Sequence, residues 1–426
     1  MRILVTGANG FIGGYLVAYL LQQHEVVCCV RDVLTTEARF PDAEVIRCDF
    51  NYDVSPQIWL PRLTAIDAVI NCAGILTAGK NQNIDNIHYH APLALFQACV
   101  QLHIKRVIQL SALGVGDGPE IDYVTSKRKL DEALLQLQIS SCVLRPSLVY
   151  ANGAYGGTAL LRALSSLPFA IPLIGTGSSK FQPIAMFDLV KVIEHFVQAP
   201  HKGIVNVVGP VAVSLKQILV HLRQWLGFKG AKTIALPKWI IKPLVYLGDW
   251  FGIGPLNSVS YQMTMHENIA PVQPLQNLID FKITPFPQGL NYYPSQTQDR
   301  WHARLYFLRP LLKISLVLLW FFSGLIPLLT HSHQADDLLT ALGCSPQVAP
   351  VIKVASCLWD IFLSAALLCS YKNKFIGVLQ LLTITAYTLI ATIGLSILWL
   401  DPLAPLLKNI PILIAVLIWL AIEDMR

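Results

Sequence analysis

Short, continuously apolar runs alternate with longer amphipathic stretches over the first 150 residues of the chain. The runs Ile3 to Val5, Val26 to Val30, Val45 to Cys48, Ala68 to Asn71, Arg106 to Ser111 and Cys142 to Arg145 read as strands buried on both faces, since a strand with one wet face would alternate. Segments between them, such as Tyr15 to Gln22, read as helices. This order predicts an α/β fold: a doubly wound parallel sheet covered by helices, its ligand lying across the carboxyl ends of the strands.

Beyond residue 300 the pattern changes. Phe375 to Leu400 runs for 26 residues without a charge, more than the roughly 20 needed to cross a hydrocarbon core. Leu311 to Leu329, Val351 to Cys369 and Leu403 to Ile422 are almost as apolar, but each holds charge: Lys313, Lys353 with Asp360, and Lys408. Any of these three alone also reads as a buried helix of a soluble protein. Four in succession predict an all-α, four-helix transmembrane domain.

Loop charges bear on topology independently. Arg300, Arg304, Arg309 and Lys313 precede the first span, Lys372 and Lys374 lie between the second and third, and Arg426 follows the fourth. By contrast, 330–350 has no Lys or Arg and carries Asp336 and Asp337. Basic residues on alternate loops place both termini, and with them the first domain, in the cytoplasm. The apolar start is interrupted by glycines and followed by no small-residue cleavage site, so it reads as a strand and not as a signal peptide.

Composition fits this division: 54% hydrophobic and 14% charged, with a mean hydropathy of +0.52, is too apolar for a wholly soluble protein. The nine cysteines form no CxxC or zinc-type spacing; Cys28, Cys29, Cys48, Cys72, Cys99 and Cys142 read as small apolar core residues in a reducing compartment. His331 and His333 could ligate a metal but lack clear partners, so no metal is predicted. The net charge of +6 clusters beside the membrane and a candidate phosphate site, so nucleic acid is not implied.

Chemistry enters at Gly7-Ala8-Asn9-Gly10-Phe11-Ile12-Gly13, directly after the first strand. Gly7 permits an unusual backbone angle, Gly10 lets a pyrophosphate approach the main chain, and Gly13 lets the following helix pack closely with its N–H groups facing the phosphates. Three glycines also mark ordinary turns; the strand before and the helix after make a dinucleotide site the sharper reading. At the tip of the second strand stand Arg31 and Asp32. A guanidinium can clamp a 2′-phosphate, which favours NADP, while Asp32 keeps NAD open. Further on, Tyr123-Val124-Thr125-Ser126-Lys127 puts a phenol and an ammonium on one helix face, with Ser111 upstream at a strand end. A phenol exchanges protons with a carbonyl or alcohol near neutral pH only if a cation lowers its pKa from about 10; Lys127 and an oxidised nicotinamide would do so, with Ser111 bonding the substrate oxygen.

These residues resemble the short-chain dehydrogenase/reductases in their extended and atypical branches, over roughly residues 1 to 290. The likeness includes Thr6 to Gly13, Cys48-Asp49, Asn71-Cys72-Ala73-Gly74, Ser111, Tyr123 to Lys127 and Leu144-Arg145-Pro146-Ser147-Leu148-Val149-Tyr150. The resemblance implies a Rossmann fold with a small substrate lobe. It implies cofactor contacts from Gly7, Asn9, Gly10, Phe11, Ile12, Gly13, Arg31, Asp49 near the adenine, Ala73, Gly74, Lys127 and Pro146, and a catalytic set of Ser111, Tyr123 and Lys127. Lys180 to Ile184, Asp188 and Gly203 to Asn206 look like the lobe-closing segments of extended members. His88-Tyr89-His90-Ala91-Pro92 departs from the pattern, replacing an Asn used for proton relay and resembling atypical members that are poor dehydrogenases. His88 and His90 stand as substitutes or as structural residues.

The last 120 or so residues resemble the DoxX-like four-helix membrane module, which some bacterial homologues carry as a fusion. Expected boundaries are 1–150 for the cofactor-binding core, 151–300 for the substrate lobe and connector, and 301–426 for the DoxX-like domain. Leu236 to Phe251 mixes aromatics, aliphatics and lysines as a surface-lying helix would, either a lid resting on the bilayer or a buried lobe helix. The proline-rich stretch 269–295 reads as an extended connector. Asp360, mid-span near Lys353, is either a functional group or half of a structural pair. The implied protein is an NADP-preferring oxidoreductase in a bacterial cytoplasmic membrane, with a lipophilic substrate, the bilayer as partner, and a homodimer as the family's usual assembly. An epimerase or dehydratase and a non-catalytic cofactor-binding subunit near quinones are the alternatives.

Overall fold

The computed structural model describes all residues except 80, 252–253, 331–333, 370–373 and 424–426, so the expectations resting on His331, His333, Lys372 and Arg426 lie outside the described residues. The chain forms two compact units, Met1–Ala303 and Arg304–Arg426.

In the first unit seven parallel strands form one sheet: β1 Arg2–Thr6, β2 Glu25–Val30, β3 Glu44–Arg47, β4 Ala68–Asn71, β5 Arg106–Leu110, β6 Ser141–Pro146 and β7 Gly203–Val207, in the order β7-β6-β5-β4-β1-β2-β3. Strand residues alternate between two cores. Ile3 and Val5 face the helices α1 (Phe11–Leu20) and 186–198, whereas Leu4 and Val69 face α3 (Ala91–Gln101) and the core that includes Leu130. Burying both faces is what demands the near-continuous apolar strands. After β3 the chain returns to place β4 on the other side of β1, so a crevice opens between the ends of β1 and β4, where doubly wound folds bind ligands. Helix α2 (Val33–Arg39) follows β2, and α4 (Asp122–Gln136) connects β5 to β6.

Two expectations change here. Gly203 to Asn206, expected as a lobe-closing segment, belongs to β7 and pairs with Cys142 to Arg145 of β6. The stretch 269–295, expected as an extended connector, contains the short helices Gln273–Gln276 and Phe286–Asn291, buries Leu275, Ile283 and Phe286, and Thr284 N–H donates to Asp188 at 2.8 Å. The helix over the Ile3 and Val5 face is α6 (Met186–Gln198), and the remainder of the lobe includes α5 (Gly156–Ser166), α7 (Leu215–Trp225), α8 (Lys238–Phe251) and α9 (Ser258–Met265).

Among the described residues three helices are long and apolar enough to cross a membrane: α10 (Thr297–Leu329), α11 (Ala349–Cys369) and α12 (Lys374–Gly394). The fourth expected span is a helix of 14 residues, α13 (Asn409–Ile422), because Pro402 and Pro405 hold the preceding segment in turns. At 1.5 Å per residue it is about 21 Å long, short of a hydrocarbon core of roughly 30 Å. The bundle packs around Leu316, Trp320, Leu363, Leu367, Ile384 and Trp419. Arg309 Nη2 lies 3.3 Å from Glu423 Oε2, so the start of the first apolar stretch and the end of α13 share one end of the bundle. Lys353 pairs with Asp336 at 2.7 Å and not with Asp360, which is buried and accepts from Ser323 (2.8 Å) on α10 and Tyr387 (3.2 Å) on α12.

Candidate active site

Gly7 adopts φ +64°, and a Cβ there would fall 2.9 Å from Ala73 Cα and N. The turn after β1 is thereby pressed against the loop after β4, which brings Ala73 and Gly74 to the glycine-rich turn. Gly10 N–H donates to the Gly7 carbonyl at 2.9 Å, and a Cβ on Gly13 would lie 2.2 Å from that same oxygen. Gly10 caps α1 without a side-chain hydrogen bond, so the first-turn N–H groups beside Phe11 and Ile12 keep the anion-binding character of a helix N-terminus. Below the crevice Thr6 Oγ1 donates to Asn71 Oδ1 (2.5 Å), and Asn71 Nδ2 donates to Gln109 (2.7 Å), tying the ends of β1, β4 and β5 together.

At the β2 tip Arg31 is exposed, and Asp32 caps α2 by accepting from Thr35 N–H at 3.2 Å. Sequence reasoning missed a second cation. Arg39, at the end of α2, reaches back over the first turn of α1: its Nη2 would sit 2.5 Å from a Cβ on Gly14, and its Nη1 lies 3.4 Å from Asn9 Oδ1. The sequence signal is Gly14 itself, whose missing side chain makes room for the guanidinium. Asp49, half-buried after β3, accepts from Asn51 N–H at 3.0 Å.

On α4, Tyr123 and Lys127 stand one turn apart, with Lys127 Nζ 5.8 Å from the Tyr123 ring centre. The buried Lys127 ammonium donates to the Leu110 carbonyl (3.3 Å) and would lie 3.3 Å from a Cβ on Gly74. Burial lowers its pKa, an effect opposed by Asp131 and Cys72. Burial, then Asp131, push Tyr123 up to about 12, while Lys127, the cation expected to lower the phenol together with a nicotinamide, holds its ammonium on the Leu110 carbonyl.

His88 locks this region. Its Nε2 accepts from Ile75 N–H at 3.0 Å, which leaves the ring proton on Nδ1 to donate to Ser126 Oγ (2.9 Å); Ser126 in turn donates to the Asp122 carbonyl (2.5 Å). Burial and then Lys127 lower the His88 pKa to about 3. A neutral ring with both nitrogens engaged is a latch between the β4 loop and α4, not a proton relay; His90 is exposed.

Ser111 lies at the end of β5, but its hydroxyl donates to Asp131 Oδ2 at 2.8 Å. Asp131 is fully buried and also accepts from Arg145 Nε (3.0 Å) and Nη2 (2.9 Å). Outward, Ser111 therefore offers lone pairs and not its proton. Pro146 ends β6, buried beside β7. The structure thus gathers Tyr123, Lys127, Gly74 and Ala73 at one place, puts the glycine turn beside it, and leaves Arg31 at the rim. A cavity of about 180 Å³ opens next to the loop after β5, between Gly114, Arg145, Asn206 and Met263.

Residues 3–208 match the model of the NAD dependent epimerase/dehydratase family, and residues 317–417 that of the DoxX-like family. The stretch that resembles the first family carries the parallel sheet, and the stretch that resembles the second carries the long apolar helices. Ceramide reductase of Caulobacter vibrioides is 25% identical over 207 residues, 48% of this chain and 63% of its own length. A Photosystem II assembly factor of Synechocystis is 27% identical over 146 residues, 34% of this chain and 44% of its own. The chain spans about half the length of the curated relatives it matches. The UDP-glucuronic acid 4-epimerase of Bacillus cereus, solved with UDP-glucuronic acid and NAD, shares the fold at a TM-score of 0.52 and 20% identity, covering 68% of this chain and 97% of its own.

Proposed function

We propose that the protein is a membrane-anchored NAD(P)-dependent oxidoreductase of the short-chain dehydrogenase/reductase type, moving a hydride to or from a carbonyl or hydroxyl carbon of a lipophilic substrate. The observation that carries this is the meeting of Tyr123 and Lys127 with Gly74, and through Gly7 with the glycine-rich turn. In this proposal residues 1–150 hold the cofactor, 151–300 shape the substrate side, and 301–426 anchor the protein in a bacterial cytoplasmic membrane with the cofactor domain on the cytoplasmic side. The likeness to ceramide reductase supports a lipid substrate.

Asn9, Gly10, Phe11, Ile12 and Gly13 would hold the pyrophosphate, Asp49 the adenine side, and Ala73, Gly74 and Pro146 the nicotinamide half. Arg31 and Arg39 supply two cations near the adenosine ribose, which favours NADP over NAD. When bound, the nicotinamide supplies or takes up the hydride. Tyr123, kept protonated by burial, donates to the oxygen of a carbonyl under reduction as negative charge grows there. Lys127, one helical turn from the phenol, would turn from the Leu110 carbonyl toward the phenolate left behind, and Ser111, whose proton goes to Asp131, would orient a substrate hydroxyl by accepting from it. Because the phenol titrates near 12, the donor is fully present at neutral pH, whereas alcohol oxidation gains its phenolate base only as pH rises.

The test is turnover of NADPH by the full chain in nanodiscs offered long-chain ketones and ceramide precursors. Tyr123→Phe should abolish turnover and leave cofactor affinity intact; unchanged turnover rejects the assignment. The matched family favours a second reading, an epimerase or dehydratase that returns the hydride to its own substrate, for which cofactor retained through purification with no net redox change would speak. Ser111's inward proton and the assembly-factor likeness favour a third, a non-catalytic cofactor-binding membrane subunit, marked by binding without turnover.

A further inference from the structure

Helix α8 is pinned by one face and presents aromatic side chains on the other. Ile241 and Val245 are each 6% exposed, and a Cβ on Gly248 would fall 1.6 Å from the Leu256 carbonyl oxygen, so the helix lies directly on the turn that follows it. Asp249 accepts from Ser258 N–H at 2.9 Å, fixing α8 against the start of α9. Helical spacing then leaves Trp239 and Tyr246, seven residues apart, on the outward side, 75% and 66% exposed. Leu247 is 44% exposed beside them, and Lys238 and Lys242 are exposed at the flank.

We propose that α8 lies in the headgroup layer of the bilayer that holds the second unit, with Trp239, Tyr246 and Leu247 at the acyl boundary and Lys238 and Lys242 on lipid phosphates. The chemistry selects a lipid surface: an indole and a phenol on one face with lysines at its edge is the interfacial pattern, apolar bodies below and polar tips in water. The same chain carries, among its described residues, three helices able to cross a membrane. The placement also has a consequence for access. Helix α9 follows directly, and Met263 on it lies 2.9 Å from where a Cβ on Gly114 would be, at the cavity beside the loop after β5. Through Met263 the hairpin of α8 and α9 would bring that cavity to the lipid surface, a route by which a lipid-borne substrate would enter. This rests on the membrane reading of the second unit and not on the chemistry assigned to Tyr123.

Nitroxide accessibility in the full chain tests it. In a Cys344→Ser, Cys369→Ser background, reconstituted in phosphatidylethanolamine and phosphatidylglycerol vesicles, labels are placed at Tyr246→Cys, at Leu34→Cys (Leu34 is 80% exposed on α2) and at Leu382→Cys on α12. The expected result is loss of access to a water-confined nickel chelate, with gain of oxygen access, at 246 and 382 but not at 34. Nickel access at 246 equal to that at 34, with 382 protected, overturns the proposal alone. Nickel access at 382 as well overturns the membrane reading beneath it and the proposal with it. Trp239→Cys, one face-repeat away, gives the same readout if Tyr246→Cys folds poorly.

Discussion

Each unit buries a carboxylate that water would otherwise claim, and the two are answered differently. Asp131, 0% exposed under the sheet ends, takes two guanidinium N–H groups from Arg145 and a hydroxyl from Ser111. Asp360, 5% exposed in the helical unit, takes only hydroxyls, from Ser323 and Tyr387 on two neighbouring helices. One is a charge met by a charge, the other a charge or its acid met by neutral dipoles. In the first unit the field of Asp131 spreads into the candidate site, raising Tyr123 and opposing the fall of Lys127. In the second, the hydrogen bonds of Asp360 join α10, α11 and α12, alongside those of Trp320 to Gln380, Trp359 to Thr383 and Ser364 to the Val317 carbonyl.

Breaking the charged pair should have the largest effect. Arg145→Ala strands a buried carboxylate and should cost on the order of 3–5 kcal/mol, read as a lowered thermal transition of the first unit. An unchanged transition would mean that Asp131 is neutral in the folded protein. Acid sharpens the comparison next. The His88 pKa is lowered from 6.5 to about 3, so between those values the unfolded chain binds the proton and the folded one does not. The stability contributed by neutral His88 is complete above pH 6.5 and falls by about 1.4 kcal/mol per pH unit below it. In His88→Asn that slope should flatten over the same window, as measured by denaturant midpoints; equal slopes would contradict the latch. Tyr387→Phe is the mildest, removing one of two neutral donors to Asp360 for about 1 kcal/mol. A loss as large as that of Arg145→Ala would show that the two carboxylates are held alike after all.

Much of this architecture is legible in the sequence because each region constrains it in its own way. Strands buried on both faces must be continuously apolar, so β1, β2, β4, β5 and β6 are readable to within a residue or two. Strand β7 is not: at the sheet edge, with Ile204 42% exposed, its five residues look like loop until their pairing with β6 is known. Prolines hide the short helices of 273–276 and 286–291, and the same residue type, at Pro402 and Pro405, carries the signal that the last apolar stretch is cut short. In the candidate site, Tyr123 and Lys127 are readable because one helical turn joins them. Arg39 and the Asp131–Arg145 pair are not, since each acts across elements with no local spacing to mark it.

The most direct test of the central claim is a cryo-EM structure of the full chain in nanodiscs with NADPH. The expected density runs from the Gly10–Gly13 turn, with the 2′-phosphate toward Arg31 and Arg39, to a nicotinamide between Gly74 and Tyr123. A dinucleotide whose nicotinamide lies out of reach of the Tyr123 hydroxyl, or no dinucleotide in that crevice at saturating NADPH, would contradict it.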